Sequence, residues 1–221
     1  MRIPSLFRAS LVAGFLPLVS ASYATIIRFD DLPSTNYVSG HFVEPFARLS
    51  DQYQSTLGVT FSSSAGYVAV VNLGWGSATS GTNGIGGVTP DNILTYNRNY
   101  PVTAWFSDPS DPSIKVSTNY VSLRGDLWGS AEFATLNGYD VDGNLVATTT
   151  VPDIGGATLT LTTLTPLIHS VTFLGSSTNE DGIAIDDFTF GSAAVPEPAT
   201  VILLAAGLAG VLRRNRNRRV R

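Results

Sequence analysis

Two aspartate pairs are the residues best placed to do chemistry. Asp30-Asp31 follows the first apolar run of the central region, and Asp186-Asp187 interrupts Ile183-Ala184-Ile185 and Phe188-Thr189-Phe190 near its end. Calcium takes about six to eight oxygen ligands, carboxylates mixed with backbone carbonyls. Carboxylates remote in sequence meet that demand when the first and last strands of a sheet lie side by side. Two readings are open: a structural calcium site at Asp30, Asp31, Asp186 and Asp187, or carboxylates that face solvent and cap turns. A second set is aromatic: Trp75, Tyr96, Tyr100, Trp105 and Trp128. Trp and Tyr combine a flat apolar face with a polar tip. Sugar rings stack their C–H faces on such side chains, while Asp, Asn and Arg bond the hydroxyls. Trp75, in a glycine-rich stretch, and Trp128, after Arg124-Gly125-Asp126-Leu127, are the candidate stacking residues. Loop-pinning or core packing is the other reading for both. Trp105, between Val102 and Phe106, reads as core.

Catalytic patterns are wanting. No Gly-x-Ser-x-Gly elbow occurs. His41 and His169 are the only histidines and lack zinc-ligand spacing. His169, at a strand start, reads as a packed, hydrogen-bonded side chain. Asp140, Asp142 and Asn144 have a calcium-loop look, but Val151 stands where the twelve-residue loop needs a bidentate Glu. Tyr139 to Leu145 therefore reads as a hairpin, with Asp142-Gly143 at its turn. The body is expected to be non-enzymatic.

The elements that position these residues are strands. Short runs rich in Val, Thr, Leu and aromatics, bounded by turn residues, predict strands at 25–29, 59–61, 67–71, 102–106, 120–124, 131–139, 145–150, 158–164, 170–174 and 183–190. No crossover helices intervene. The expected fold is all-β, an antiparallel β-sandwich of jelly-roll type. Residues 34–58 carry mixed polar residues and Pro45 and can hold a short helical turn. Residues 74–87, with six glycines, read as a loop too glycine-rich for a strand. Thr158, Thr160 and Thr162 put hydroxyls on one face of a strand, a single row where an ice-matching surface needs many.

Charge is distributed unevenly. Residues 25–194 hold Arg28, Arg48, Arg98, Lys115 and Arg124 against sixteen Asp and Glu, a net −11, whereas the whole chain is −4. An acidic body argues against nucleic acid as a partner. With no cysteine there is neither a disulfide nor a thiolate metal site.

Both ends are targeting segments. In residues 1–24, Arg2 and Arg8 precede an apolar core at Ala9–Val19 and small residues at Ser22-Tyr23-Ala24, as in a secretory signal peptide. This implies Sec-type export. The body is then 25–194 and the tail 195–221. The tail opens on Val195-Pro196-Glu197-Pro198, stiff and unable to continue a strand. An apolar helix is expected over 199–212, about 21 Å long and short of a roughly 30 Å bilayer core. The basic end, 213–221, begins Arg213, Arg214 and Arg216, arginines placed to stop transfer at the cytoplasmic side.

Order, spacing and terminal position make this tail resemble the PEP-CTERM sorting signal. Tails of this kind are also catalogued under an ice-binding protein's C-terminal region, a label for the tail and not for the body. The resemblance implies recognition by an exosortase, membrane contact through the tail before processing, and export to the envelope, surface or extracellular matrix of a Gram-negative bacterium. The closing strand, Ile185-Asp186-Asp187 before Phe188, resembles the end of carbohydrate-binding-type jelly rolls, some of which hold calcium between first and last strands. The expected function is non-enzymatic interaction with exopolysaccharide or biofilm matrix. Two alternatives stand beside it: a self-associating structural biofilm protein and a polysaccharide hydrolase.

Overall fold

The computed structural model describes residues 24–36, 42–64, 66–73, 78–91, 100–127, 131–152, 157–177 and 183–191. The expected signal-peptide core, Trp75, Tyr96, Trp128, His41 and the sorting tail lie outside them. Among the described residues the chain forms fourteen strands: β1 (Thr25–Ile27), β2 (Thr35–Asn36), β3 (Arg48–Leu49), β4 (Val59–Ser62), β5 (Val68–Asn72), β6 (Asn83–Gly87), β7 (Val102–Asp108), β8 (Asp111–Lys115), β9 (Tyr120–Leu127), β10 (Ala131–Tyr139), β11 (Leu145–Pro152), β12 (Ala157–Thr162), β13 (Ser170–Ser177) and β14 (Ile183–Gly191). All ten expected strands are present. A four-residue helix, α1 (Gln54–Leu57), supplies the turn expected in 34–58 and ends on Gly58, whose φ of 69° is left-handed.

The strands make two sheets stacked as a jelly-roll sandwich. The larger runs β12-β9-β14-β6-β5-β2, with β1 on β14 and β3 on β5; the smaller runs β11-β10-β13-β7-β4, with β8 on β7. Pairing is antiparallel except for the two-residue β2–β5 pair, which is parallel. The first and last strands are neighbours, Ile27 opposite Phe188 and Thr25 opposite Phe190.

Alternation builds the core between the sheets. Val121 and Leu123 of β9, Leu159 and Leu161 of β12, Leu136 of β10, and Val171 and Phe173 of β13 point inward. Phe29, Phe61 and Phe188 meet edge to face at its centre, with centroid distances of 5.6 Å and 5.4 Å. Each such pair adds about 0.5–1.5 kcal/mol beyond its buried area. A smaller cluster lies on the other side of the larger sheet. There Val43 and Ala47 cover Ala69, Val71 and Ala184.

The glycine-rich stretch departs from expectation. Asn83–Gly87 is a strand, buried throughout, between β5 and β14. Close packing selects glycine here. A Cβ on Gly84 would lie 2.7 Å from Leu73 Cδ1, and one on Gly87 would strike the Tyr100 carbonyl. The glycines that weaken local strand propensity are what let this strand fit.

Candidate functional site

The larger sheet carries the first candidate site at a seam. β14 is flanked on one side by β9 and on the other by two strands end to end, β6 near Ile185 and β1 over Phe188–Phe190. At the junction β14 bulges. Its register with β9 shifts between Asp186 and Thr189, and Asp187 has φ 50°. The extra residue lets both Ile185 and Phe188 point into the core although they are three apart. Asp186 is fully buried.

The aspartates do converge, on a backbone segment. Asp186 Oδ2 accepts the Ser80 N–H at 2.7 Å, and Oδ1 accepts the Asp187 N–H at 2.6 Å. Asp30 Oδ1 accepts the N–H groups of Thr82 at 2.9 Å and Asn83 at 3.1 Å. Asn83 Nδ2 in turn donates to the carbonyls of Phe29 and Leu32. Gly81, at φ 53°, lies so close to Asp30 that a Cβ would strike its carboxylate. Asp31 faces elsewhere and accepts the Tyr53 hydroxyl at 2.5 Å. Burial pushes the Tyr53 hydroxyl's pKa up, and the Asp31 hydrogen bond adds to the shift. Burial also raises the Asp186 pKa, outweighing the bonds from Ser80 and Asp187 that favour its charged form.

The four aspartates point at different partners. Asp30 and Asp186 face N–H donors, Asp31 faces a hydroxyl, and Asp187 lies 3.7 Å from Arg28 Nε. Calcium requires lone pairs directed at one point. Among the described residues no three His, Cys, Asp or Glu side chains gather as a metal site. Asp30 and Asp186 clamp the loop entering β6, Asp31 holds Tyr53 beside α1, and Asp187 faces Arg28.

Outside the seam lies a cleft of about 440 Å³, lined by Arg28, Thr79, Ser122, Arg124, Asp187 and Thr189 among others. Register accounts for the grouping. Thr158 and Asp186 flank Arg124 on the two neighbouring strands, and Thr160 and Thr189 flank Ser122.

The smaller sheet offers a different surface. Ser62, Thr103, Thr172, Asn137 and Thr148 are cross-strand partners in succession, one unbroken row over β4, β7, β13, β10 and β11. At about 4.8 Å per strand the row spans roughly 19 Å. Thr103 and Thr172 bond at 3.2 Å, and Thr148 donates to Asn137 at 2.7 Å. The next row is Thr60, Trp105, Ser170, Tyr139 and Leu145. Trp105 is 44% exposed, which corrects its reading as core. Val102, Ala104 and Phe106 take the inward positions, so alternation puts Trp105 outside. Its Nε1 donates to Ser62 Oγ, and its ring meets His169 edge to face at 6.0 Å. His169 is buried and donates from Nδ1 to the Val116 carbonyl at 2.8 Å, as a packed histidine should. Trp105, Tyr139, Val141 and Thr172 line a depression of about 400 Å³. The expected hairpin borders it. Asp140 Oδ1 accepts the N–H groups of Asp142 and Asn144, and Gly143 has φ 83°.

Comparison with known proteins agrees on the tail. Residues 194–219 match the PEP-CTERM protein-sorting motif. That match marks the chain as exported and sorted to the cell envelope. No curated protein matches the sequence. Among solved structures, the CBM22-1 xylan-binding domain of Paenibacillus barcinonensis Xyn10C is similar at 16% identity and TM-score 0.36, over 72% of this chain and 99% of that one. The K2 cleaved adhesin domain of Lys-gingipain is similar at 11% identity and TM-score 0.44, over 76% and 99%. A family 11 carbohydrate-binding module from Clostridium thermocellum is similar at 17% identity and TM-score 0.32, over 65% and 94%. Likeness at this level carries no function across, and the architecture rests on the strand pairing above. Among the described residues no helix is long and apolar enough to cross a membrane.

Proposed function

We propose that the body is a non-catalytic glycan-binding module that holds exopolysaccharide against the outer face of the smaller sheet. The row Ser62-Thr103-Thr172-Asn137-Thr148, running beside Trp105 and Tyr139, carries this reading. An extended sugar chain laid across the strands would stack on Trp105 and exchange hydrogen bonds with the row. Thr103 already bonds Thr172, Thr148 bonds Asn137 and Ser62 bonds Trp105, so the surface is preorganised and loses little side-chain freedom on binding. Placing such a module outside the cell suits a tail of the PEP-CTERM type. In this reading a Sec-type signal peptide is removed near Ala24, and an exosortase recognises Val195-Pro196-Glu197-Pro198 while Arg213, Arg214 and Arg216 hold the tail in the membrane.

The test is retention of the full chain on immobilised exopolysaccharide from its own host. Retention is expected, with Trp105→Ala reducing it at least about tenfold, the loss of one stacked aromatic. Absence of retention, or equal retention by the variant, would overturn the proposal.

A further inference from the structure

The cleft on the larger sheet has properties the glycan reading does not use. Arg28 and Arg124 both line it, two of only five cationic side chains in a body of net charge −11. Arg124 Nε is buried and has no hydrogen-bond partner, and so is Thr79 Oγ1, which lines the same cleft. Asp186 sits beside Arg124 in register, yet its oxygens are taken by Ser80 and the Asp187 N–H. Among the described residues Arg28 has a 3.7 Å contact with Asp187, and its side chain is 61% exposed. An exposed pair of that kind is weak and easily exchanged for a ligand. A buried guanidinium N–H without an acceptor costs free energy that an incoming oxyanion would recover.

We propose that this cleft is a second ligand site, binding the carboxylate of an acidic sugar between Arg28 and Arg124. A planar carboxylate matches the guanidinium fork through paired hydrogen bonds. Thr79, Ser122, Thr158 and Thr189 supply hydroxyls for the rest of the ring, and Ile26, 49% exposed, supplies an apolar edge. Two guanidiniums against the single Asp187 carboxylate leave the cleft lining net positive in a body of net charge −11. The choice of a sugar as the carboxylate's carrier rests on the glycan-binding reading; the anion site itself does not.

The experiment is calorimetric titration of the full chain at low salt with glucuronate, glucose and inorganic phosphate. Glucuronate is expected to bind, glucose to give no heat at the same concentrations, and phosphate to leave glucuronate in place. Arg28→Gln and Arg124→Gln should each weaken glucuronate about tenfold or more. Arg28 is exposed, so its variant stays folded and keeps the test decisive if the Arg124 variant does not fold. Trp105→Ala should leave glucuronate affinity unchanged. Undiminished binding by Arg28→Gln, or equal binding of glucose, would overturn the site. Displacement by phosphate at equal affinity would overturn its assignment to a carboxylate. Loss of glucuronate binding alongside intact polysaccharide retention would remove this site and leave the proposed function standing.

Discussion

The two outer faces of the sandwich are built by different means. On the smaller sheet alternation carries Thr103, Trp105, Thr172, Asn137 and Thr148 outward, Thr103 bonding Thr172 and Thr148 bonding Asn137 directly across, and Trp105 reaching Ser62 on the diagonal. On the larger sheet alternation breaks at Asp186-Asp187, and the site is completed by Ser80, 106 residues away. The first face is made of exposed or half-exposed groups whose mutual bonds contribute little to stability. The second is held by a buried carboxylate, so its geometry and the stability of the fold are coupled. A face generated by strand period tolerates substitution; one generated by a bulge and a long-range clamp does not.

Asp186→Ala should separate the faces most sharply. It leaves the Ser80 and Asp187 N–H groups unpaired, at about 1–3 kcal/mol for each. Urea unfolding should show that loss, and hydrogen exchange should show the Ser80 amide unprotected while β10 and β13 stay protected. Equal loss of protection on both sheets would contradict the separation.

A glycine pair gives a smaller contrast. Gly143 sits in the hairpin at φ 83° with open space where a Cβ would go, so Gly143→Ala should cost only about 1–2 kcal/mol of backbone strain. Gly81 has φ 53° and no such space, because Asp30 is against it. Gly81→Ala should cost more, since it also drives Asp30 from Thr82 and Asn83. Similar melting midpoints for the two variants would show that the clamp is soft.

The sequence pattern carries the smaller sheet well and the seam poorly, for physical reasons. Alternation is local, so ten of the fourteen strands and the Asp142-Gly143 hairpin are readable from neighbours. Trp105 reads as core from its place between Val102 and Phe106, but those two and Ala104 are the inward positions, so alternation puts Trp105 outside. β6 is hidden because Gly84, Gly86 and Gly87 lower strand propensity, whereas the use of Gly84 and Gly87 is set by Leu73 and Tyr100 from other segments. The bulge had a visible signal: Ile185 and Phe188, both strongly apolar, are three apart around two charges. Nothing local shows that Asp30 and Asp186 would grip residues 80–83, or that Arg28 and Arg124 would share a cleft.

Titration adds a further contrast. Burial raises the Asp186 pKa above the roughly 3.9 of an unfolded chain. Between those two values the native state binds the extra proton, so this group lowers stability as pH rises through that window. Asp140, on the other face, is shifted the opposite way by Asn144. Its stabilisation is present above the unfolded value and is lost as pH falls through its depressed folded value. Asp186→Asn should flatten the decline above about pH 4, and Asp140→Asn should lessen the fall at lower pH. Urea midpoints across the range measure both, and an unchanged slope above pH 4 in Asp186→Asn would contradict the buried carboxylate.

The smallest expected effect concerns the aspartates as cation ligands. A cation bound only by the native state stabilises it by RT ln(1 + [L]/Kd), so removing it must lower the melting midpoint. Asp30 and Asp186 already hold the N–H groups of Thr82, Asn83, Ser80 and Asp187. Turning those oxygens to calcium would strip partners from the amides and release the loop that enters β6. Chelator is therefore expected to leave the midpoint where it is, and added calcium to leave it unmoved. A chelator-induced drop that vanishes in Asp30→Asn would mean the clamp opens around a cation, and that the difference between the two faces depends on a bound ion.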